Sequence, residues 1–587
     1  MNSSRLLFGD IKFETVRFNY VVDECQPKMK YRSEPDRWDK EISLLYEIFI
    51  AFTKRVKSPS QQIQLTIRNA LQDNLLKYSN YFTNINGLEI QYPQNITDAF
   101  DFNLFNNIPR VKLNNWDRLA RIKQGLQNIQ ELDICQCTDL ISIECPLIDL
   151  DKLRIRYCNQ LVFVSPIKRT TKKINIESSY ELPLVFPKNS NMAKLKITSP
   201  VDSLFFNEIP YRSLQVLHLS GIRAKETDDF SIFARIPELY LQNVSDGYFP
   251  SFPKFQGRVL YIGGFDLLSW HDKSSSEGYG FENLRELTSI FCSNFSYFPV
   301  FPNLRRLFIY EDPNLQEILP QSFPNCITLR AGNCSSLVKI HRFPKIQSIE
   351  VSDCENFKEF IGKMNIQRVE LSGLLSFQNI SSLRNVHDVM FDNCTIRSFD
   401  GFDRSELPNS SRIVRLCNFD ANDSYMKGLG NVGSLTLYHV NNLNDGKGIH
   451  DIDDLILEGV SLKNFKRLQV RRSLILHSPN FIYSFHGLKT LLRIAISIEH
   501  RSFGSSLKLS DLSYFNCDQF YCHRSQPWVA EAQQYLKDPA SSSFAPIFQT
   551  MKEFYIITDL DRYDSKLRDG PAIKFSWDTH MSKTRLW

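Results

Sequence analysis

The strongest local hint of reaction chemistry is Asp559-Leu560-Asp561, which directly follows the apolar run Phe554-Tyr555-Ile556-Ile557-Thr558. Two carboxylates at a strand end can hold a metal ion and assist phosphoryl transfer. Tyr563 stands where that chemistry places Thr or Val, and the following stretch is too short for the lysine, second acidic pair and sheet it requires. The reading is therefore a solvated acidic turn. Cys517, Cys522 and His523 form the one tight Cys/His cluster. Structural zinc wants four ligands in paired short spacings, and no second pair follows. Gly446-Lys447 is preceded by Asn441 where a phosphate loop needs its first glycine, and no His-Glu-x-x-His occurs. These patterns predict no catalytic residue, no cofactor site and no metal site, so the chain reads as a non-enzyme.

What remains as a candidate for chemistry is recognition, and it depends on a repeat. Asn128-Ile-Gln-Glu-Leu-Asp-Ile-Cys-Gln-Cys-Thr-Asp-Leu140 places apolar residues at 129, 132, 134, 137 and 140. Leu150, Leu153, Ile155, Cys158 and Leu161 repeat that frame. The anchor position then recurs every 20 to 22 residues in most coils, through Ile174, Leu195, Leu217, Leu239, Leu260, Leu287, Leu307, Leu329, Ile349, Val369, Val389, Val414, Leu435, Leu455, Leu474 and Ile494. Weaker coils at Leu88 and Val111 precede these, for roughly twenty coils in all. The pattern Leu-x-x-Leu-x-Leu-x-x-Asn/Cys-x-Leu resembles that of leucine-rich repeats over roughly residues 80 to 510. Its coils look like the short, irregular kind found in intracellular immune receptors and many protist proteins.

The resemblance implies an α/β repeat solenoid, a right-handed leucine-rich-repeat superhelix with one parallel concave β-sheet, a helical N-terminal cap and a small C-terminal cap. The corresponding divisions are 1–82 for the N-terminal region, 83–512 for the solenoid and 513–587 for the C-terminal cap and tail. Ordering a coil of about 21 residues costs roughly 30 kcal/mol, which takes about 1,200 Å² of apolar burial to offset, so coils must stack to fold. The apolar residues Ile42, Leu45, Ile48, Phe49 and Phe52, then Ile63, Ile67, Leu71, Leu75 and Tyr78, fall at helical spacing and predict two helices within 37–82. The outer half of each coil is too short for a helix and should be extended or 3₁₀. Two longer coils, with His271–Gly280 and Phe402–Ser411, should extrude polar loops.

The 587 residues carry 70 Lys and Arg against 65 Asp and Glu, a formal charge of +5 that gives little reason to expect nucleic acid as a partner. Asp10, Lys12, Glu14 and Arg17 break up any secretory signal, and Ile42–Phe52 is about half a bilayer span and contains Glu47. A cytoplasmic location follows as an expectation, with the 13 cysteines as reduced thiols. Six of them, Cys137, Cys158, Cys292, Cys334, Cys354 and Cys394, occupy the turn position usually held by Asn.

The residue between the two inward positions of each strand should face the solvent. Along this column Arg154 and Lys196 fall in an early basic stretch, Tyr240, Tyr261 and Phe308 form an aromatic centre that the adjacent outward Tyr310 joins, and Arg330 follows. Tyr, Phe and Arg anchor interfaces, so these seven are the candidate contacts for a protein partner. The competing reading is that the rings merely cover their neighbours while the charges are solvated. The functional expectation is a non-catalytic protein interaction module, or scaffold. Alternatives are a ubiquitin-ligase substrate adaptor, because Glu41–Phe52 resembles the start of an F-box, and a component of a recognition receptor.

Overall fold

A computed structural model describes residue 47, most of residues 62–482, and the strands Arg17–Asp23, Leu491–Ser497, Cys517–His523, Glu553–Ile557 and Ala572–Ser576, with its longest internal interruptions at 178–189, 243–254 and 266–279. The chain divides into two compact units, Met1–Leu284 and Arg285–Trp587. Each is a parallel β-solenoid of stacked coils with very little helix.

The repeat explains the strands. In Glu131–Cys135, Lys152–Arg156 and Lys173–Glu177 the anchor and the residue two further on are buried, while their neighbours face outward. Parallel pairing sets anchor against anchor: Leu88 to Val111, Val111 to Leu132, Leu132 to Leu153, Leu153 to Ile174, Ile174 to Leu195 and Leu195 to Leu217. The second unit does the same from Leu287 through Leu307, Leu329 and Ile349 to Ile494. A shift of one residue would turn every anchor to the solvent, so the alternation fixes the register. Leu132, Leu153, Leu195, Leu307, Leu329 and Ile349 are at most 1% exposed. Among the described residues, pairing is antiparallel only between Glu553–Ile557 and Ala572–Ser576.

Many of the main-sheet strands lead into a left-handed residue that turns the chain. Asn115, Asn333, Asn393 and Asn418 have φ near +50°, and Gly373 takes the same place at +62°. Asn and Gly tolerate this region best. The N–H of Asn115 donates to Cys135 O at 2.9 Å and that of Asn333 to Ser352 O at 2.9 Å, joining one turn to the next. The residue directly after this turn forms the cysteine ladder. The Cys137 thiol lies 3.8 Å from Leu113 O in the preceding coil, Cys334 3.9 Å from Ile309 O, and Cys394 3.3 Å from Leu371 O. The thiol is a weak donor that substitutes for the Asn amide in an apolar interior. All six of the cysteines at this position are free and buried. The outer half of the coils holds short parallel strands, such as Arg121–Ile122, Ser142–Ile143 and Phe163–Val164, and 3₁₀ turns such as Phe102–Phe105 and Ile380–Leu383.

The expected helical cap is corrected in its second half. Gln62–Arg68 is a strand, paired in parallel with Arg17–Asp23 on one side and Gly87–Gln91 on the other, and the helix is confined to Gln72–Tyr78. Ile63 and Ile67 fit a helical spacing, but Ile63, Leu65 and Ile67 are all buried, which is the period of two. The predicted helix over Ile42–Phe52, and with it the F-box-like segment, lies outside the described residues apart from Glu47. So does His271–Tyr279. The other long insertion does not simply protrude: Glu406 pairs with Lys363 and Arg384, both at 3.5 Å, and its N–H donates to Asn385 Oδ1 at 3.1 Å.

Candidate interaction face

In the first unit, strand register lines up the solvent-facing side chains into columns. The middle column runs Glu89, Lys112, Asp133, Arg154, Asn175, Lys196, His218, Tyr240 and Tyr261, each paired with the next. Acid and base alternate at its start, and ion pairs cross from coil to coil. Lys112 Nζ lies 2.6 Å from Glu89 Oε1, Arg154 3.3 Å and Arg156 3.2 Å from the Asp133 carboxylate, and Lys196 3.0 Å from Glu177. Glu131 receives Arg110 at 3.5 Å and Lys152 at 3.4 Å. A groove of about 340 Å³ opens over this part of the face, lined among others by Glu89, Arg110, Lys112, Asp133, Arg154 and Arg156.

Glu89 is not an ordinary surface charge. It is only 8% exposed. Its Oε1 accepts from Lys112 Nζ at 2.6 Å, Gln91 Nε2 at 2.6 Å and Asn114 Nδ2 at 2.8 Å. It is a structural hub joining two strands. Glu177 is held below the usual carboxylate range: burial opposes this, but the hydrogen bond and charge of Lys196 outweigh it.

Beyond the charges the column becomes aromatic. The His218 ring stacks on Tyr240 at 5.5 Å with 13° between planes, and Tyr240 lies 5.7 Å from Tyr261 at 33°. His218 Nε2 is 3.2 Å from Gln242 Oε1. Burial first, and then the charges of Lys196 and Lys194, lower the His218 pKa below its ordinary 6.5 despite that hydrogen bond.

Phe308, Tyr310 and Arg330 sit in the second unit. The Arg330 guanidinium lies 5.4 Å from the Phe308 ring centroid and pairs with Glu350 at 2.9 Å. The Tyr310 ring lies over Gly332 of the next strand, where an added Cβ would come within 2.8 Å of Tyr310 Cδ1. The seven candidates thus face outward as the register requires, but they form two groups. Arg154, Lys196, Tyr240 and Tyr261 belong to one unit, and Phe308, Tyr310 and Arg330 to the other.

Two features escaped the sequence pattern. Tyr92 and Tyr157 occupy the left-handed turn position, at φ 51° and 55°, and are 52% and 56% exposed. A bulky side chain in that region is uncommon, and its only sequence signal is its place one residue after the strand. Gly446 and Gly448 lie in a turn that leads into the strand His450–Glu458, with no helix N-terminus to receive a phosphate. Cys517, Cys522 and His523 lie on one strand, and Asp559 and Asp561 fall outside the described residues. Among the described residues no group of three or more His, Cys, Asp or Glu could hold a metal ion, and no helix is long and apolar enough to cross a membrane.

The geometry defines a parallel β-solenoid that displays ladders of charged and aromatic side chains on its main sheet. In comparisons with known proteins, no family model and no curated sequence matches the chain.

Proposed function

We propose that this chain is a leucine-rich-repeat protein of the cytoplasm that binds a protein partner on the solvent-facing side of its main sheet and carries out no catalysis. The observation that carries the reading is the in-register ladder of outward side chains, Glu89 through Tyr261, on a backbone whose alternate positions are fully buried. Parallel strands hold each outward residue about 4.8 Å from the next, so side chains are presented at fixed spacing with little ordering left to do on binding. The coil length of 20 to 22 residues, the Leu-x-Leu strand and the Asn/Cys turn support the repeat family. On that basis the superhelix is right-handed, as nearly all parallel crossovers are, and the sheet is its concave side. Free, buried thiols suit a reducing compartment.

The test uses the full chain as immobilised bait, with identification of captured proteins and affinity measurement on the purified partner. Tyr240→Ala with Tyr261→Ala, and separately Phe308→Ala with Tyr310→Ala, probe the two aromatic groups. Loss of an interface anchor costs about 2 kcal/mol or more, or roughly thirtyfold in affinity. At least one double variant should show that loss while remaining folded. Wild-type affinity in both would remove the sheet face from consideration and point to the outer edge of the coils.

A further inference from the structure

The charge on the first unit's sheet face is unevenly distributed. Five adjacent strands, from Arg110–Asn114 to Lys194–Asp202, carry eight cations against the four carboxylates of Glu131, Asp133, Glu177 and Asp202. Lys152, Lys173 and Lys194 are direct partners on three successive strands. Like charges opposed across a ladder destabilise it. Lys152 has Glu131, but Lys173 and Lys194 are exposed and make no ion pair among the described residues. Arg154 and Arg156 share the one carboxylate of Asp133, and their Nε–H groups are buried without an acceptor. This part of the face is short of anions.

We propose that strands Lys152–Arg156 to Lys194–Asp202 dock an extended acidic segment of a partner protein. This rests on the reading of the sheet as a protein-binding face and specifies the chemistry of what binds there. Two inter-strand spacings cover about 10 Å, the length of about three residues of extended peptide. Carboxylates of such a segment would neutralise Lys173, Lys194 and the shared guanidiniums. Its backbone N–H groups would find an acceptor in the half-buried Glu177 carboxylate. Tyr157, exposed and held at φ 55° directly after Arg156, offers a ring at the margin for an apolar flank. A polyphosphate fits less well. Its evenly spaced charges would meet Glu131, Asp133 and Glu177, and the nearby rings of His218 and Tyr240 are stacked on each other rather than open to bases.

The test is fluorescence anisotropy on the full chain with a labelled hexaglutamate peptide, its hexaglutamine counterpart and a single-stranded oligothymidine. The acidic peptide should bind, weaken as salt is raised from about 50 to about 300 mM, and lose at least about tenfold in affinity in Lys173→Glu with Lys194→Glu. Lys358→Glu, a charge reversal on an exposed lysine of the second unit, should leave binding unchanged. The double variant should unfold at a temperature no lower than wild type, because it relieves the lysine ladder. Equal binding of the two peptides, or an unaltered affinity in the folded double variant, overturns the proposal. Tighter binding of the oligothymidine than of the acidic peptide overturns it in favour of a nucleic-acid face. If the peptide fails while the tyrosine variants abolish capture of a protein partner, the binding function stands and only the acidic docking site falls.

Discussion

Glu89→Ala should cost far more than an exposed charge normally does. The Glu89 side chain is 10% exposed, against 35% for Lys112. Three donors converge on one carboxylate oxygen, from Gln91, Lys112 and Asn114 at 2.6 to 2.8 Å. A hydrogen bond to a charged group contributes about 1.5–3 kcal/mol net. The three are not additive, and Lys112 regains water once freed. Asn114 does not recover as well, since its Oδ1 is already buried without a partner. The sum is about 2–4 kcal/mol, compared with about 0–1 kcal/mol for an exposed pair such as Arg330–Glu350. Coils of a solenoid touch mainly their neighbours, so the loss should be local. Hydrogen exchange of segments 87–91 and 110–114 should accelerate by roughly thirtyfold to several hundredfold, at about 1.4 kcal/mol per factor of ten. Glu89→Gln, which keeps an acceptor, should fall between. Unchanged exchange in Glu89→Ala, or an equal effect from Arg330→Ala on its own strands, would refute the assignment of Glu89 as a hub.

Leu307→Asp places an unpaired carboxylate at a position with 0% exposure and should cost more than about 4 kcal/mol, whereas Arg330→Ala should cost less than about 1 kcal/mol. Thermal unfolding of both variants checks this, and similar losses would invert the inside and outside assignments of the second unit. His218 gives a pH dependence. Its folded pKa lies below the ordinary 6.5, so on acidification the unfolded chain binds the proton first and stability falls as pH drops below about 7. His218→Asn should flatten the decline in urea midpoint between about pH 7 and pH 5, and a steeper decline in the variant would mean that the folded imidazole is instead favoured in its charged form.

The fold was legible where one residue's surroundings repeat in the next coil. Leu153, Ile174 and Leu195 announce a strand because the alternation and the coil length agree at each of them, and the structure pairs them with one another. The cysteine ladder was legible for the same reason. Gln62–Arg68 was not, because Ile63 and Ile67 satisfy two periods at once and only Leu65 between them, set against Thr66 and Gln64, separates the two. Tyr92 and Tyr157 were hidden because bulky residues stand where Asn or Gly would have marked the turn. Glu89 was hidden because its partners Lys112 and Asn114 are 23 and 25 residues away, and only the register brings them together.

That register turns the charges of the sheet face into a rule that can be read along the chain. A base in one coil finds an acid about one coil length away, most often earlier: Lys152 finds Glu131, Arg154 finds Asp133, Lys196 finds Glu177 and Arg258 finds Glu238, while Arg110 and Arg330 find Glu131 and Glu350 one coil later. The same relation holds in the second unit between Arg306 and Glu286 and between Arg415 and Asp388. Such pairs each contribute little, about 1 kcal/mol or less where they are exposed, but they let neighbouring strands carry charge without repulsion. Lys173 and Lys194 break the rule, since each looks back along its column at another lysine. A fold stabilised by burying Leu153, Ile174 and Leu195 on the other side of the same strands can bear that repulsion. The exception therefore sits where the core is complete and where an incoming acidic chain has the most charge to neutralise.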